Sequence, residues 1–368
     1  MIATSHQAER SRTSIALRWS LIACGVLAVV ILLVCGCAHL STSRPASLVG
    51  CLWYVTPGKQ PASLDLSTAE LDAIQGLGMR LIVLNGPWLG TAVAPGESDP
   101  AENLFAEGDR RHLKFFVDIG AMANWWVQAD PAAELARARE QIQLVYRRYG
   151  HHPSFKGFYV PYECYVMWNA QRALTRTLYR EVAVACKAVA PAKPVMISPF
   201  FILDDQHVLG DFRWATPTEY NEFWSDVLRG SAIDIVALQD RGEHLSYYTD
   251  EQCAPFFAAM KQACDATGKQ LWANVETGEL AVDSPADYIA KFGRKTHVND
   301  PRTQSYWRGV SAEKLSAKLR FVRAYTPTAI TWGYREFVRP AASHGATNFY
   351  EAYRAVLLHP RATAQPAE

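Results

Sequence analysis

Two glutamates far apart in the chain offer its plainest chemistry. Glu163 closes the run Tyr159-Val160-Pro161-Tyr162-Glu163, and Glu276 closes Trp272-Ala273-Asn274-Val275-Glu276. Two carboxyls about 5 Å apart across a sugar ring support retaining glycoside hydrolysis. The oxocarbenium-like transition state needs a proton on the leaving oxygen and negative charge on the other face. A gap above roughly 6.5 Å leaves room for water and predicts inversion. Glu279, just beyond Glu276, competes for the second role; Glu336 is a third candidate, but Arg335 and Arg339 beside it suit a plain ion pair. Polar and aromatic residues close the neighbouring runs: Trp53, Asn85 with Trp88, Asp118, Gln239 with Asp240, Asn274, and Trp332 with Tyr334. With Tyr159 they are expected to line a pocket suited to carbohydrate, whose C–H faces stack on rings while its hydroxyls seek amides and carboxylates.

Other chemistries find less support. His151 and His152 are adjacent and cannot share a helical face, and the chain has neither HExxH nor His-x-His. No metal and no cofactor is therefore expected. There is no GxSxG elbow for a serine nucleophile. Cys51, Cys164, Cys186, Cys253 and Cys264 show no CxxC spacing, so buried free thiols are expected rather than a redox or zinc site. The 37 basic and 36 acidic side chains balance to +1, with no cationic block to neutralise phosphates, which argues against nucleic acid as a partner. Eleven Trp and sixteen Tyr among 368 residues suit a carbohydrate substrate as well as a large core.

The elements that must position these side chains alternate. Short apolar runs rich in β-branched and aromatic residues occur at Val49–Thr56, Arg80–Gly86, Lys114–Gly120, Phe155–Glu163, Pro194–Phe201, Asp234–Asp240, Gln270–Thr277 and Ala329–Val338. Helical spacing fills Ser67–Leu77, Pro131–Tyr149, Thr177–Val189, Thr216–Leu228, Glu251–Thr267, Ser311–Tyr325 and Thr347–Leu358. Eight strands interleaved with helices predict an α/β fold, a single-domain (β/α)8 TIM barrel over residues 49–360 followed by a disordered tail at 361–368. A doubly wound sheet normally carries a Gly-rich loop after its first strand, and Thr56-Pro57-Gly58-Lys59 is not one. In the barrel, chemistry belongs at the carboxyl ends of the strands, where Glu163 (strand four) and Glu276 (strand seven) both fall. The insertion Gly278–Gly309 carries Tyr306 and Trp307, and its length favours a functional loop.

The first 37 residues read as an address. A polar start with Arg10 and Arg12 precedes the apolar run Leu21–Val34 and then Cys35-Gly36-Cys37, the pattern of a lipoprotein signal with Cys37 as the acylated residue, followed by a linker over residues 38–48. An uncleaved anchor helix is the alternative. Both place the barrel outside the cytoplasm, attached to the membrane of the cell envelope.

The phrases Lys156-Gly157-Phe158-Tyr159-Val160-Pro161-Tyr162-Glu163, Asp234-Ile235-Val236-Ala237-Leu238-Gln239-Asp240 and Leu271-Trp272-Ala273-Asn274-Val275-Glu276 resemble a bacterial barrel family catalogued as a domain of unknown function and described as candidate glycoside hydrolases. That family is similar to clan A glycoside hydrolases, whose acid/base and nucleophile end strands four and seven. The resemblance implies Glu163 as acid/base and Glu276 as nucleophile. Clan A usually has Asn before its acid/base, where this chain has Tyr162, a departure that bears on how the sugar 2-hydroxyl is recognised. A non-catalytic glycan-binding lipoprotein on a degenerate barrel is the alternative from another class, and a deacetylase or lyase using Asp118 or Asp240 is a third.

Overall fold

The computed structural model describes residues 45–54, 68–85, 99–121, 130–241, 246–294, 301–340 and 349–358. The strands are β1 (Ser47–Tyr54), β2 (Leu81–Asn85), β3 (Lys114–Asp118), β4 (Phe155–Val160), β5 (Val195–Ile197), β6 (Ile235–Gln239), β7 (Gln270–Asn274), β8 (Gly278–Leu280), β9 (Trp307–Gly309) and β10 (Thr328–Thr331). Eight of them close a barrel in the order β1-β10-β7-β6-β5-β4-β3-β2, every neighbouring pair parallel. The remaining two, β8 and β9, form an antiparallel hairpin inside the long insertion. The helices are α1 (Thr68–Gly76), α2 (Pro100–Arg111), α3 (Pro131–Tyr149), α4 (Asn169–Val189), α5 (Pro217–Leu228), α6 (Asp250–Thr267), α7 (Pro285–Phe292), α8 (Ala312–Arg323) and α9 (Tyr350–Leu358). Among the described residues, no helix is long and apolar enough to cross a membrane.

Both faces of each strand are buried, which is why the runs are apolar almost without interruption. Alternate residues such as Leu52, Val83, Phe116, Tyr159 and Met196 fill the barrel. Those between them, such as Cys51, Trp53, Ile82, Val117 and Phe158, pack outward against the helices. Neighbouring strands approach so closely at Gly157 that an added Cβ would lie 2.2 Å from the Pro194 carbonyl oxygen. The helices begin where short polar side chains capture orphan amides: Thr216 and Thr249 make full capping boxes for α5 and α6, and Asp130 caps α3.

Several strands end earlier than their apolar runs. β4 stops at Val160 because Pro161 has no N–H to donate to the ladder. β10 stops at Thr331; Gly333, at φ 88°, turns the chain into a π-helical turn over Tyr334–Val338. Helix α2 is not apparent from apolar periodicity, since charged residues outnumber apolar ones on it, although Asp99-Pro100 is a fair start signal. The insertion after β7 contains the β8–β9 hairpin, α7 and a 3₁₀ turn at Pro301–Tyr306. The expected signal segment 1–37, including Cys37, and the tail 361–368 lie outside the described residues. Cys51, Cys164, Cys186, Cys253 and Cys264 are free and buried, and burial raises each thiol's pKa.

Candidate active site

At the carboxyl end of the barrel, the interior face ends in polar side chains: Asp118 of β3, Tyr159 of β4, Ser198 after β5, Gln239 of β6 and Asn274 of β7. All but Asp118 are joined by hydrogen bonds in a network that includes Glu163. The Tyr159 hydroxyl donates to Glu163 Oε1 at 2.6 Å, and Gln239 Nε2 donates to Glu163 Oε2 at 3.0 Å and to the Ser198 carbonyl at 2.9 Å. Asn274 Nδ2 donates to Ser198 Oγ at 3.1 Å, and Ser198 Oγ donates to the Ala237 carbonyl at 2.8 Å. Each oxygen of Glu163 thus has a fixed donor, so its carboxyl plane is set from two strands. Glu163 remains partly exposed while Tyr159, Gln239 and Asn274 are buried, which leaves the acid as the group nearest to solvent in this network.

Asp118 pairs in register with Tyr159 and is 4% exposed. Its Oδ1 accepts from the Gly120 amide at 2.6 Å. Burial pushes this carboxyl up to about 7; the Gly120 amide lowers it, the Glu163 charge adds to the rise, and Arg137 lowers it. Arg137 is held by Glu134 at 2.6 Å and donates to the carbonyls of Ile119 and Gly120 at 3.0 and 2.7 Å, so it fixes the chain directly after β3. Tyr162, which precedes Glu163, turns away from the barrel into the layer beneath the helices and donates to Glu134 Oε1 at 2.6 Å. An asparagine's shorter side chain would not span that layer, which is a physical reason for the departure at this position.

Glu276, two residues past the end of β7, is 2% exposed, and both of its backbone polar groups are clamped by a buried ion pair. Its amide donates to Asp240 Oδ1 at 3.3 Å, and its carbonyl accepts from Lys318 Nζ at 2.8 Å. Lys318 of α8, 1% exposed, lies 3.0 Å from Asp240 Oδ2. Asp240 therefore sits in the wall, on the opposite face of its strand from Gln239, and works on Glu276 from behind. Glu279 is occupied elsewhere: it is buried in the hairpin opposite Arg308, to which it is bonded at 3.0 Å, and it also pairs with Lys314.

The aromatic candidates divide. Trp332 follows β10 on the interior face and is partly exposed, and Trp307 of β9 meets it edge-on at 5.7 Å and 66°. Trp53 and Tyr334 are fully buried against each other, 6.1 Å apart, between barrel and helices. Trp53 faces outward because its neighbour Leu52 faces in, and the turn at Gly333 breaks the alternation that would have carried Tyr334 to the mouth. Glu336 lies on the same π-helical turn, and after burial and the Glu70 charge its own charge adds to the raised pKa of Cys51, which belongs to that outer layer. Asn85 ends β2, and Trp88 lies outside the described residues. Ser198 and Lys318 are functional neighbours that the strand-end criterion misses. Lys318 had a legible signal: three residues after Leu315 and four before Val322, it sits on the apolar stripe of its helix, where a cation requires a buried partner.

The family described as "Domain of unknown function (DUF4434)" matches residues 73–344, the region in which the strand-end phrases lie. No curated protein matches the chain. The barrel is similar to the crystal structure of a candidate alpha-L-fucosidase from Bacteroides thetaiotaomicron, with 19% identity and a TM-score of 0.63 over 85% of this chain and 94% of that one. The endo-beta-1,4-mannanase from Thermotoga petrophila superposes with a TM-score of 0.51 at 12% identity, covering 88% of this chain and 80% of that one. The beta-galactosidase from the psychrophilic Marinomonas ef1 gives a TM-score of 0.52 at 9% identity over 85% of this chain, which spans 59% of that structure. At these identities the likeness is one of fold.

Proposed function

The chain belongs to the DUF4434 family, and from that premise we propose that it is a glycoside hydrolase acting on a poly- or oligosaccharide, with Glu163 as acid/base and Glu276 as nucleophile. The observation that carries this is the polar network at the mouth. It fixes Glu163, after β4, from Tyr159 and Gln239, and a buried ion pair fixes the backbone of Glu276 beyond β7. The barrel shared with solved glycosidases is consistent with it.

In this reaction Glu163 protonates the glycosidic oxygen as the Glu276 carboxylate bonds to the anomeric carbon. The leaving sugar departs with the bonding electrons and the proton. Water, deprotonated by Glu163, then releases the second sugar and regenerates both carboxyls, giving net retention. Trp332, with Trp307 behind it, offers a ring on which a sugar face can stack, and Asn274 offers an amide to a hydroxyl. The leader ending at Cys37 is proposed to hold the enzyme at the cell envelope, facing outward, where large glycans are accessible.

Release of 4-nitrophenolate from a panel of 4-nitrophenyl glycosides, together with product analysis on bacterial and plant polysaccharides, identifies the sugar. The matching 2-deoxy-2-fluoro glycoside should then leave one stoichiometric adduct on the peptide containing Glu276. An adduct on a different carboxylate would reject the assigned roles, and binding of oligosaccharides without cleavage of any would reject catalysis.

A further inference from the structure

His151 and His152 join α3 to β4, and the fold gives them a use that their adjacency conceals. Gly150 ends the helix, and both rings converge on Glu102 in the first turn of α2. His152 Nε2 lies 3.0 Å and His151 Nε2 lies 3.5 Å from Glu102 Oε1, and the three candidate ligand atoms fall within 4.8 Å of one another. Ligands at 2.0–2.1 Å from a tetrahedral zinc ion are separated by about 3.3 Å, so the two distances to Glu102 bracket that edge.

His152 is held as a ligand would be. It is 7% exposed and stacks on Phe105 at 5.5 Å and 25°, and its Nδ1 lies 2.6 Å from Asp109 Oδ2. Asp109 is itself anchored through Oδ1, which accepts from the Ser154 amide at 2.6 Å. A carboxylate receiving the Nδ1 proton fixes the tautomer and ring orientation and directs the Nε2 lone pair at Glu102. Only a proton or a cation can then lie between that lone pair and a carboxylate oxygen 3.0 Å away.

We propose that Glu102, His151 and His152 bind a divalent cation of the zinc class, with Asp109 as the orienting carboxylate and water as the fourth ligand. In the bound state two neutral imidazoles and one carboxylate face the metal. His152 precedes β4 and Glu163 follows it, so this strand of six residues, roughly 20 Å long, separates the cation from the mouth. The cation is therefore structural, tying α2 to the entrance of β4, and its presence does not depend on the proposed glycosidase activity.

Full-length protein stripped with a chelator and titrated with zinc chloride at pH 7.5 tests this by calorimetry and thermal unfolding. One zinc per chain with a dissociation constant of micromolar or tighter, and a rise in Tm of several degrees, is expected. His151→Ala alters an exposed side chain and should leave the fold intact by circular dichroism while weakening binding at least ten-fold. Glu102→Gln should do the same, and Asp109→Asn should weaken it by about ten-fold through the ring it orients. Cobalt in place of zinc should give the intense visible absorption of a four-coordinate ion. No saturable binding in the wild type, or equal binding by the wild type and His151→Ala, would overturn the proposal and leave His152 as a ring held between Asp109 and Glu102 for packing alone.

Discussion

Replacing Asp118 by Asn gives a test in which both the sign and the size follow from the structure. Burial raises this carboxyl from an ordinary 3.8 to about 7. A group that binds its proton more tightly in the folded than in the unfolded state favours the fold at low pH. That advantage is complete below about pH 4 and is lost as the pH rises through 7. Three pKa units at 1.36 kcal/mol each set a ceiling of about 4 kcal/mol, and relaxation around the ionised group brings the expected effect to about 1–3 kcal/mol. Asn retains the acceptor for the Gly120 amide and cannot ionise. In urea unfolding from pH 4 to 8, the stability of Asp118→Asn relative to wild type should therefore climb by that amount between pH 4 and 7.5 and then level off. All other titrating groups are shared and largely cancel. Because the Glu163 charge contributes to the rise, the climb should be smaller in a Glu163→Gln background. A difference that stays flat to within about 0.5 kcal/mol would refute the burial argument, and a climb unaffected by Glu163→Gln would show that the two carboxyls do not sense each other.

Further expectations concern the clamp, the rings and the leader. Lys318→Met leaves Asp240 buried without its cation and should cost about 3–5 kcal/mol in urea unfolding, part of which Lys318→Met/Asp240→Asn should recover; a cost below about 1 kcal/mol for the single change would count against the clamp. Trp332→Ala removes a stacking face of about 1–2 kcal/mol and should raise KM roughly ten-fold with a smaller change in kcat, whereas a wild-type KM would remove Trp332 from the sugar site. Cys37→Ala expressed in a bacterial host should abolish palmitate labelling and release the protein from the membrane fraction, and labelling that persists would reject lipidation at that residue.

The barrel is legible in the sequence because its strands are buried on both faces and its helices on one, so periodicity changes at every boundary. Pro131–Tyr149 coincides with α3, since Asp130 and Pro131 mark its start and the apolar stripe runs to Tyr149. What periodicity does not convey is where a strand stops. Pro161 and Gly333 end β4 and β10 within apolar runs, and past such a break the alternation no longer says which way a side chain faces. Tyr334 is lost from the mouth for that reason, and Trp53 because its strand's phase is set by Leu52. Asp240 lies one residue beyond Gln239 and so faces the helices, where Lys318 meets it. The polar residues that reached the mouth are those on the interior phase of a strand: Tyr159, Gln239 and Asn274 in the hydrogen-bond network, and Asp118 in register beside Tyr159. His151 and His152 show the opposite limit, because convergence outside a helix leaves no periodic trace.

Turnover by Glu163→Gln and Glu276→Gln, each folded like the wild type and assayed on the best glycan substrate, probes the central claim most directly. Each change should lower kcat by three or more orders of magnitude, while Glu279→Gln, whose partners are Arg308 of the hairpin and Lys314 of α8, should stay within roughly ten-fold of wild type. Wild-type rates in both Glu163→Gln and Glu276→Gln would contradict the assignment of the chemistry to this pair.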